Sequence, residues 1–340
     1  MMTRSNALRR LLCAVCAAAA AGDASAQSDF SEVELPEVIR VLVAYNAGGS
    51  SDTLARITLP AWESAVEALS GQETSAVVVN LPGAGGEIGW TSLANAQPDG
   101  STIGVINLPA VPLVEAARDA QFEPWLERFV PLGVNVIDPN VLRLSSRSDY
   151  GSLQEAIDAA KENPGSVIVG ADGPLSDDHV AMYALERATG AKFTFIPFAG
   201  GAPANQAFMS GEVDLAIGNA FDHVQTADSA AEAAVLRDER YDLLPDVPTV
   251  KEALGVEMGE FGSTRGWAAP AGSPEDLVAL YREAFAQAFA DEAYQAEARE
   301  RNVTIVPPKI GEAFGELMAQ EQRNAEELLP LFVEGGFISQ

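Results

Sequence analysis

Three times in this chain an apolar, strand-like run ends in a glycine cluster that opens a helix-like run. The clusters are Ala47-Gly48-Gly49-Ser50-Ser51-Asp52, Pro82-Gly83-Ala84-Gly85-Gly86 and Pro197-Phe198-Ala199-Gly200-Gly201. Glycine at a strand-to-helix turn lets the main chain take left-handed conformations and brings its N–H groups close to a ligand. The helix that follows adds about half a positive charge at its first turn, so each cluster is a candidate anion cradle. One such loop alone is usually only a tight turn. Three of them, at the carboxyl ends of strands, can face one crevice, which is where open α/β sheets bind their ligands.

The alternation that carries these loops runs on along the chain. Apolar stretches at 38–44, 76–80, 102–107, 167–170, 193–196 and 213–217 read as strands. Helical spacing puts Leu54, Ile57, Ala61, Ala65 and Leu69 on one face, with a kink expected at Pro60. Further helices are expected at 152–162, 178–189 and 204–209. Ser273-Pro274-Glu275-Asp276 reads as a capping box opening a helix with Leu277, Leu280, Tyr281, Ala284, Phe285 and Phe289 on one side. This regularity implies the α/β class with mostly parallel strands. Residues 228–241, charged and alanine-rich, carry no clear signal.

The 340 residues hold 49 Asp and Glu against 21 Lys and Arg, a net charge of −28. Such a surface repels nucleic-acid phosphates and anionic lipid alike, so neither is expected as a partner. Only four of the 21 cations are lysine, and an acidic, arginine-biased surface suits a salty medium that screens it. At the start of the chain, Arg4, Arg9 and Arg10 precede a 12-residue apolar stretch (11–22), and Ala24-Ser25-Ala26 follows. That is the pattern of a cleavable signal peptide at 1–26; its apolar stretch is too short to span a bilayer, which takes about 20 residues. Cleavage after Ala26 removes Cys13 and Cys16, the only cysteines, and leaves an exported, thiol-free chain of net charge −30.

Gly83-Ala84-Gly85 with Gly89 approaches a dinucleotide fingerprint, but Ile88 stands where the last glycine belongs, and no G-x-x-x-x-G-K-[ST] occurs. There is no G-x-S-x-G elbow. The two histidines, His179 and His223, lie in no metal-binding spacing. His179 reads as a capping or packing residue, and Asp177-Asp178 as a solvated or dipole-pairing helix start. Neither catalysis nor a cofactor nor a metal is expected.

The strings VAYNAGGSSDTLAR (43–56) and NLPGAGGEIGWTSLANAQPDGSTIG (80–104) resemble the extracytoplasmic solute-binding proteins of tripartite tricarboxylate transporters, also called the Bug family. The likeness continues through 153–165, 195–214 (FIPFAGGAPANQAFMSGEVD), 244–249 (LPDVPT) and 266–274 (GWAAPAGSP). It implies a two-lobed, type II-like periplasmic binding protein with the ligand cleft between lobes. Lobe one is expected at 27–135 and 265–340, lobe two at 136–264. The resemblance also implies a small carboxylate as cargo, whether a di- or tricarboxylate or an aromatic acid. Main-chain N–H groups and hydroxyls would hold it, and the chain, a monomer, would deliver it to a membrane permease of one large and one small subunit.

Matched to the family's loops, the candidate ligand-binding residues are Tyr45, Asn46, Ala47, Gly48, Gly49, Ser50 and Asp52 from the first, and Gly83, Ala84, Gly85 and Gly86 from the second. Asn107, Ser176, Ala199, Gly200, Gly218 and Asn219 complete the set. Tyr45-Asn46 departs from the family's usual Pro-Phe-type start, and Phe198 from its usual Tyr. Gly218 sits where many members carry an Asp able to meet a ligand amine, which favours a plain carboxylate. Arg265 occupies a usually aromatic position, open to a bidentate carboxylate contact or to a surface or hinge role. Two other readings stay open: a sensor that reports to a signalling partner, and a periplasmic enzyme using Asp52 or His179.

Overall fold

A computed structural model describes residues 30–338; the expected signal peptide, with Cys13 and Cys16, lies outside the described residues. The chain begins with β1 (Val38–Val43), α1 (Ser50–Ser70), β2 (Ser75–Asn80), α2 (Glu87–Ala94) and β3 (Thr102–Leu108). It continues through α3 (Ala110–Ala117), α4 (Trp125–Arg128), β4 (Phe129–Ser145), α5 (Leu153–Glu162), β5 (Ile168–Asp172) and α6 (Asp177–Thr189). Next come β6 (Thr194–Phe198), α7 (Gly201–Ser210), β7 (Leu215–Asn219), α8 (Ala220–Thr226), β8 (Ala230–Val235) and α9 (Val250–Leu254). The last elements are β9 (Gly262–Pro270), α10 (Glu275–Ala290), α11 (Glu292–Glu300), β10 (Ile305–Ile310) and α12 (Glu312–Glu334).

Hydrogen bonds join the strands into one curled mixed sheet, in the order β2-β1-β3-β9-β4-β7-β5-β6, with β8 and β10 also paired to β4. The 17-residue β4 organises it. Residues 129–139 of β4 pair with β9, and residues 140–145 pair with β7 and β8, so one strand serves two wings of the sheet. Two register shifts, at 131–133 and 134–136, interrupt its pairing with β9; bulges of this kind bend a strand and sharpen its twist. The expectation of mostly parallel strands needs correction. β1–β2, β1–β3, β5–β6 and β5–β7 are parallel, but every pairing of β4 and β9 is antiparallel, because these strands run against their neighbours where the wings join.

Helix α1 runs without interruption through Pro60, where a kink was expected. The expected capping box before α10 does not form: Ser273 Oγ donates to Pro270 O at 2.9 Å, and Pro274 precedes the helix without a side-chain cap. The stretch at 228–241 holds the end of a 3-10 turn (Ala227–Ser229), then β8 and irregular chain.

The core of the first wing forms where α1 and α10 cover the sheet. Trp62 of α1 meets Tyr281 and Phe285 of α10 at ring distances of 5.1 and 5.4 Å, and Phe285 lies 4.8 Å from Trp267 of β9. Each of these rings is buried. On the other side of the sheet α12 packs on α3, and its end reaches α6 of the second wing, where Phe332 and Phe337 meet the His179 ring edge-on at 4.9 and 4.8 Å. Replacing Trp62 by Ala is expected to lower stability by about 3–5 kcal/mol through lost burial and the cavity left behind, read as a shift of the urea midpoint at unchanged slope.

Candidate functional site

The glycine loops of the two wings touch. Asn46 N–H donates to Ala199 O at 3.3 Å across the gap. A Cβ on Gly200 would stand 3.3 Å from Tyr45 Cβ, and one on Gly85 only 2.5 Å from Pro174 O; one on Gly173 would stand 3.2 Å from Gly85 Cα. The 83–86 turn takes positive φ at all four residues, Ala84 included at 50°. It closes with Gly86 N–H on Gly83 O at 3.0 Å. Gly86 packs against the Trp90 ring and leaves no room for a side chain.

Within the first loop the donors and acceptors are largely committed. Asp52 accepts from Gly48 N–H at 2.9 Å and is held by Arg56 at 2.9–3.1 Å, so this carboxylate caps its own loop. Burial alone would raise its pKa, but the hydrogen bonds from Arg56 and Gly48 outweigh that and bring it below its ordinary value. The first turn of α1, at Ser50, presents N–H groups that have no helical partner. Asn107 Nδ2 donates to Ser51 Oγ at 2.9 Å, leaving its Oδ1 buried and unpaired. The Tyr45 side chain turns inward, edge-on to Trp90 at 6.1 Å. Its phenol is pushed well above the ordinary value by burial and then by the charges of Asp172, Asp177 and Asp178, against the pull of Arg265.

Several expected ligand groups are occupied elsewhere. Ser176 caps α6: its Oγ accepts from His179 N–H and donates to Gly173 O, both at 3.2 Å. His179 Nδ1 accepts from Leu175 N–H at 3.2 Å, and the ring stacks on Phe195 at 4.0 Å. Burial takes its pKa down to about 3, so it packs as a neutral ring. A Cβ on Gly218 would point at Arg143 Nη2, 2.6 Å away, and at Asp222, whose Oδ1 a Cβ on Gly201 would also meet at 2.7 Å. Asn219, the neighbour of Gly218, turns the other way: it donates to Asp177 at 2.9 Å and accepts from Arg265 Nη2. Arg265 is a buried structural cation, paired with Asp138 at 3.0 Å.

Asp177-Asp178 read in sequence as a solvated or dipole-pairing helix start, and both do stand in the first turn of α6. Both are buried, and with Asp172 they bring carboxylate oxygens within 4.8 Å of one another. Asn140 Nδ2 donates to Asp177 at 2.8 Å and Asp178 at 2.7 Å. Asp178 also accepts from the Asp172 N–H at 3.2 Å. Burial, and then the charge of Asp177, push Asp172 up to about 8; burial also raises Asp177 and, further, Asp178. The motif Asp-Gly-Pro-Leu-Ser-Asp-Asp was the available signal: a tight turn folds the strand-end carboxylate back on the two that open the helix. Arg143 was also missed. It is wholly buried, donates to Asn205 and Thr226 at 2.9 and 2.7 Å, and lies 5.0 Å above the Phe208 ring. Beside Asp177 a cavity of about 1170 Å³ opens, lined also by Thr264, Phe261 and Glu321.

Fold and loops together define a solute-binding protein of the periplasmic type. The model of the tripartite tricarboxylate transporter family receptor matches residues 63–327, and the chain belongs to that family, one of binding proteins and not of enzymes. A UPF0065 protein from the tcbD-tcbE intergenic region of Pseudomonas sp. strain P51 is 29% identical over 300 residues, 85% of this chain and 80% of its own length. The periplasmic binding protein BugD superposes with a TM-score of 0.76 at 26% identity, over 90% of this chain and 100% of its own. MatC from Rhodopseudomonas palustris, solved with bound malate, has the same fold, with a TM-score of 0.75 at 24% identity over 87% and 100% of the chains. Among the described residues no helix is long and apolar enough to cross a membrane.

A folded Asp172 that titrates near 8 against an ordinary 3.8 keeps a proton the unfolded chain has lost. Its stabilising contribution is full below about pH 4 and is lost as pH rises through about 8. The melting temperature of ligand-free protein is therefore expected to fall between about pH 5 and 8.5, and Asp172→Asn to flatten that fall in a scanning-fluorimetry series.

Proposed function

We propose that the chain is an exported receptor that captures a small carboxylate between two lobes and hands it, unchanged, to a membrane permease. The observation that carries this reading is the meeting of the glycine loops. Gly85 against Gly173 and Asn46 against Ala199 bring the main chains of the two wings together, and α1 opens there with first-turn N–H groups that have no helical partner. Such donors hold an anion with no formal positive charge. MatC, of the same fold, carries malate, which supports the same chemical class here. Lobe one would comprise the residues before the β4 crossing and those from β9 onward, and lobe two the segment between. The change of pairing partner at Pro139–Asn140 and the start of β9 at Gly262 lie within a few residues of the proposed boundaries at 135/136 and 264/265 and support them.

Removal of residues 1–26 on export, action as a monomer, and delivery to a permease of one large and one small subunit belong to the same proposal. Loss of solute uptake on deleting the gene supports delivery, whereas intact uptake with an altered transcriptional response favours sensing.

A screen of mono-, di- and tricarboxylates by thermal shift tests the reading. A ligand at about 100 times its Kd adds roughly 2.7 kcal/mol, or several degrees in Tm. Gly85→Leu, whose side chain would drive into Pro174, is expected to weaken binding at least tenfold while the protein remains folded. No stabilisation by any carboxylate, or turnover of the bound acid, would overturn the proposal.

A further inference from the structure

The cavity of about 1170 Å³ beside Asp177 has walls from both wings. Met258 and Phe261 come from the second wing and Leu317 and Leu328 of α12 from the first, all four half-buried. Its floor is the ribbon that joins the wings: Ile137 and Pro139 of β4, with their pairing partners Thr264 and Gly262 of β9. Side chains alternate along a strand, so these residues share one face, and Asp138, which pairs with Arg265, points to the other. Among the described residues, none from the three glycine loops lines this space. It is a second opening between the wings, distinct from the one that the glycine loops close.

Two large apolar side chains of this cavity stay open to water, Ile137 at 43% and Leu243 at 59% exposure. Exposed apolar surface gathered in a concavity between two bodies, on the scale of about 1,000 Å³ or less, is the usual form of a small-molecule site. The charges around it narrow the class of molecule. Arg187 and Arg299 stand at exposed positions against Glu260 and Glu327, and Arg237 faces Glu260 at 3.5 Å. Two less exposed carboxylates are already partnered: Asp177 accepts from Asn219 at 2.9 Å and Glu321 from Asn324 at 3.2 Å. An anion would meet more carboxylates than guanidinium groups here, and a cation would find the sheltered carboxylates bonded to amides. An uncharged apolar body matches the walls best.

We propose that this cavity is a second binding site, for an uncharged apolar molecule, and that its occupant acts as an effector of the carboxylate cleft. A molecule that fits between the wings as they stand binds this arrangement better than any other. This is the arrangement in which Asn46 bonds Ala199 and the glycine loops meet. Occupancy therefore shifts the wings toward the form that encloses the solute. The coupling is reciprocal, so the solute tightens the effector by the same factor. The effector role rests on the receptor reading above; the site itself does not.

Fluorescence titration of the full mature chain with Nile red, an uncharged apolar dye, tests this. One dye is expected to bind per chain, and octanol to displace it at least tenfold more effectively than octanoate or octylammonium. Leu243→Ser combined with Ile137→Thr, both at exposed positions and checked by circular dichroism, is expected to weaken the dye tenfold or more. Saturating octanol is expected to tighten the best-binding acid of the carboxylate screen at least threefold, and that acid to tighten Nile red by the same factor. No dye binding, dye binding that the double variant leaves unchanged, or better displacement by octanoate or octylammonium overturns the site as described. Dye and acid that bind without affecting each other overturn the effector role and leave the receptor reading standing. Binding of no acid overturns the receptor reading and the effector role with it, while the dye and the double variant still decide the site.

Discussion

Arg265 and Asp138 face each other at 3.0 Å where β9 runs beside β4, both almost wholly withdrawn from water. Taking two charges into such a place costs about as much as their attraction returns, so the pair adds little net stability, but losing one partner strands the other at a cost of about 3–5 kcal/mol. From this pair a chain of hydrogen bonds runs outward. Arg265 bonds Asn219 of β7, Asn219 bonds Asp177 of α6, and Asn140 of β4 bonds Asp177 and Asp178. Residues from both wings are thereby fixed relative to one another through one buried node. Arg265, which the sequence left open between a carboxylate contact and a surface or hinge role, holds Asp138 and Asn219 in place.

Two electrical environments sit side by side in the region between the wings. The glycine turns bring backbone of both wings together, and the turn into α6 brings three carboxylates close together. The −28 of the whole chain does not predict this division; surface charge is screened within about 10 Å, and buried partners set the local field. Tyr45 lies where the two environments meet, its phenol held neutral by burial and by the neighbouring carboxylates.

Much of the framework was legible because hydrophobic periodicity and glycine clusters are local signals. The strands at 38–43 and 75–80, the helix face from Leu277 to Phe289, and the loops at 47–52, 83–86 and 199–201 all stand near where the periodicity placed them. What escaped was long-range. β4 contains two prolines and a glycine, carries polar side chains at Asn135, Asp138, Asn140 and Arg143, and shows no clean alternation, since neighbours pack on both of its faces. Asp177-Asp178 resembled any acidic helix start, because nothing local says that Asn140, 37 and 38 residues away in sequence, will close over the pair. Capping and binding draw on the same side-chain oxygens, so the sequence does not announce that Ser176 and Asp52 bond their own loops.

The uninterrupted β4 has a mechanical consequence. Two bodies joined by loops can swing freely about the joint, but here the connection is hydrogen-bonded strand, with Leu236 and Phe261 laced to Asn140 at the crossing by bonds of 2.9 Å. Relative rotation must flex this ribbon, which acts as a leaf spring with a restoring force. The bulged stretch at 131–136 is its most compliant part. The resting angle between the wings is thus written into strand geometry, and a solute works against elastic stiffness, not against the entropy of a slack tether.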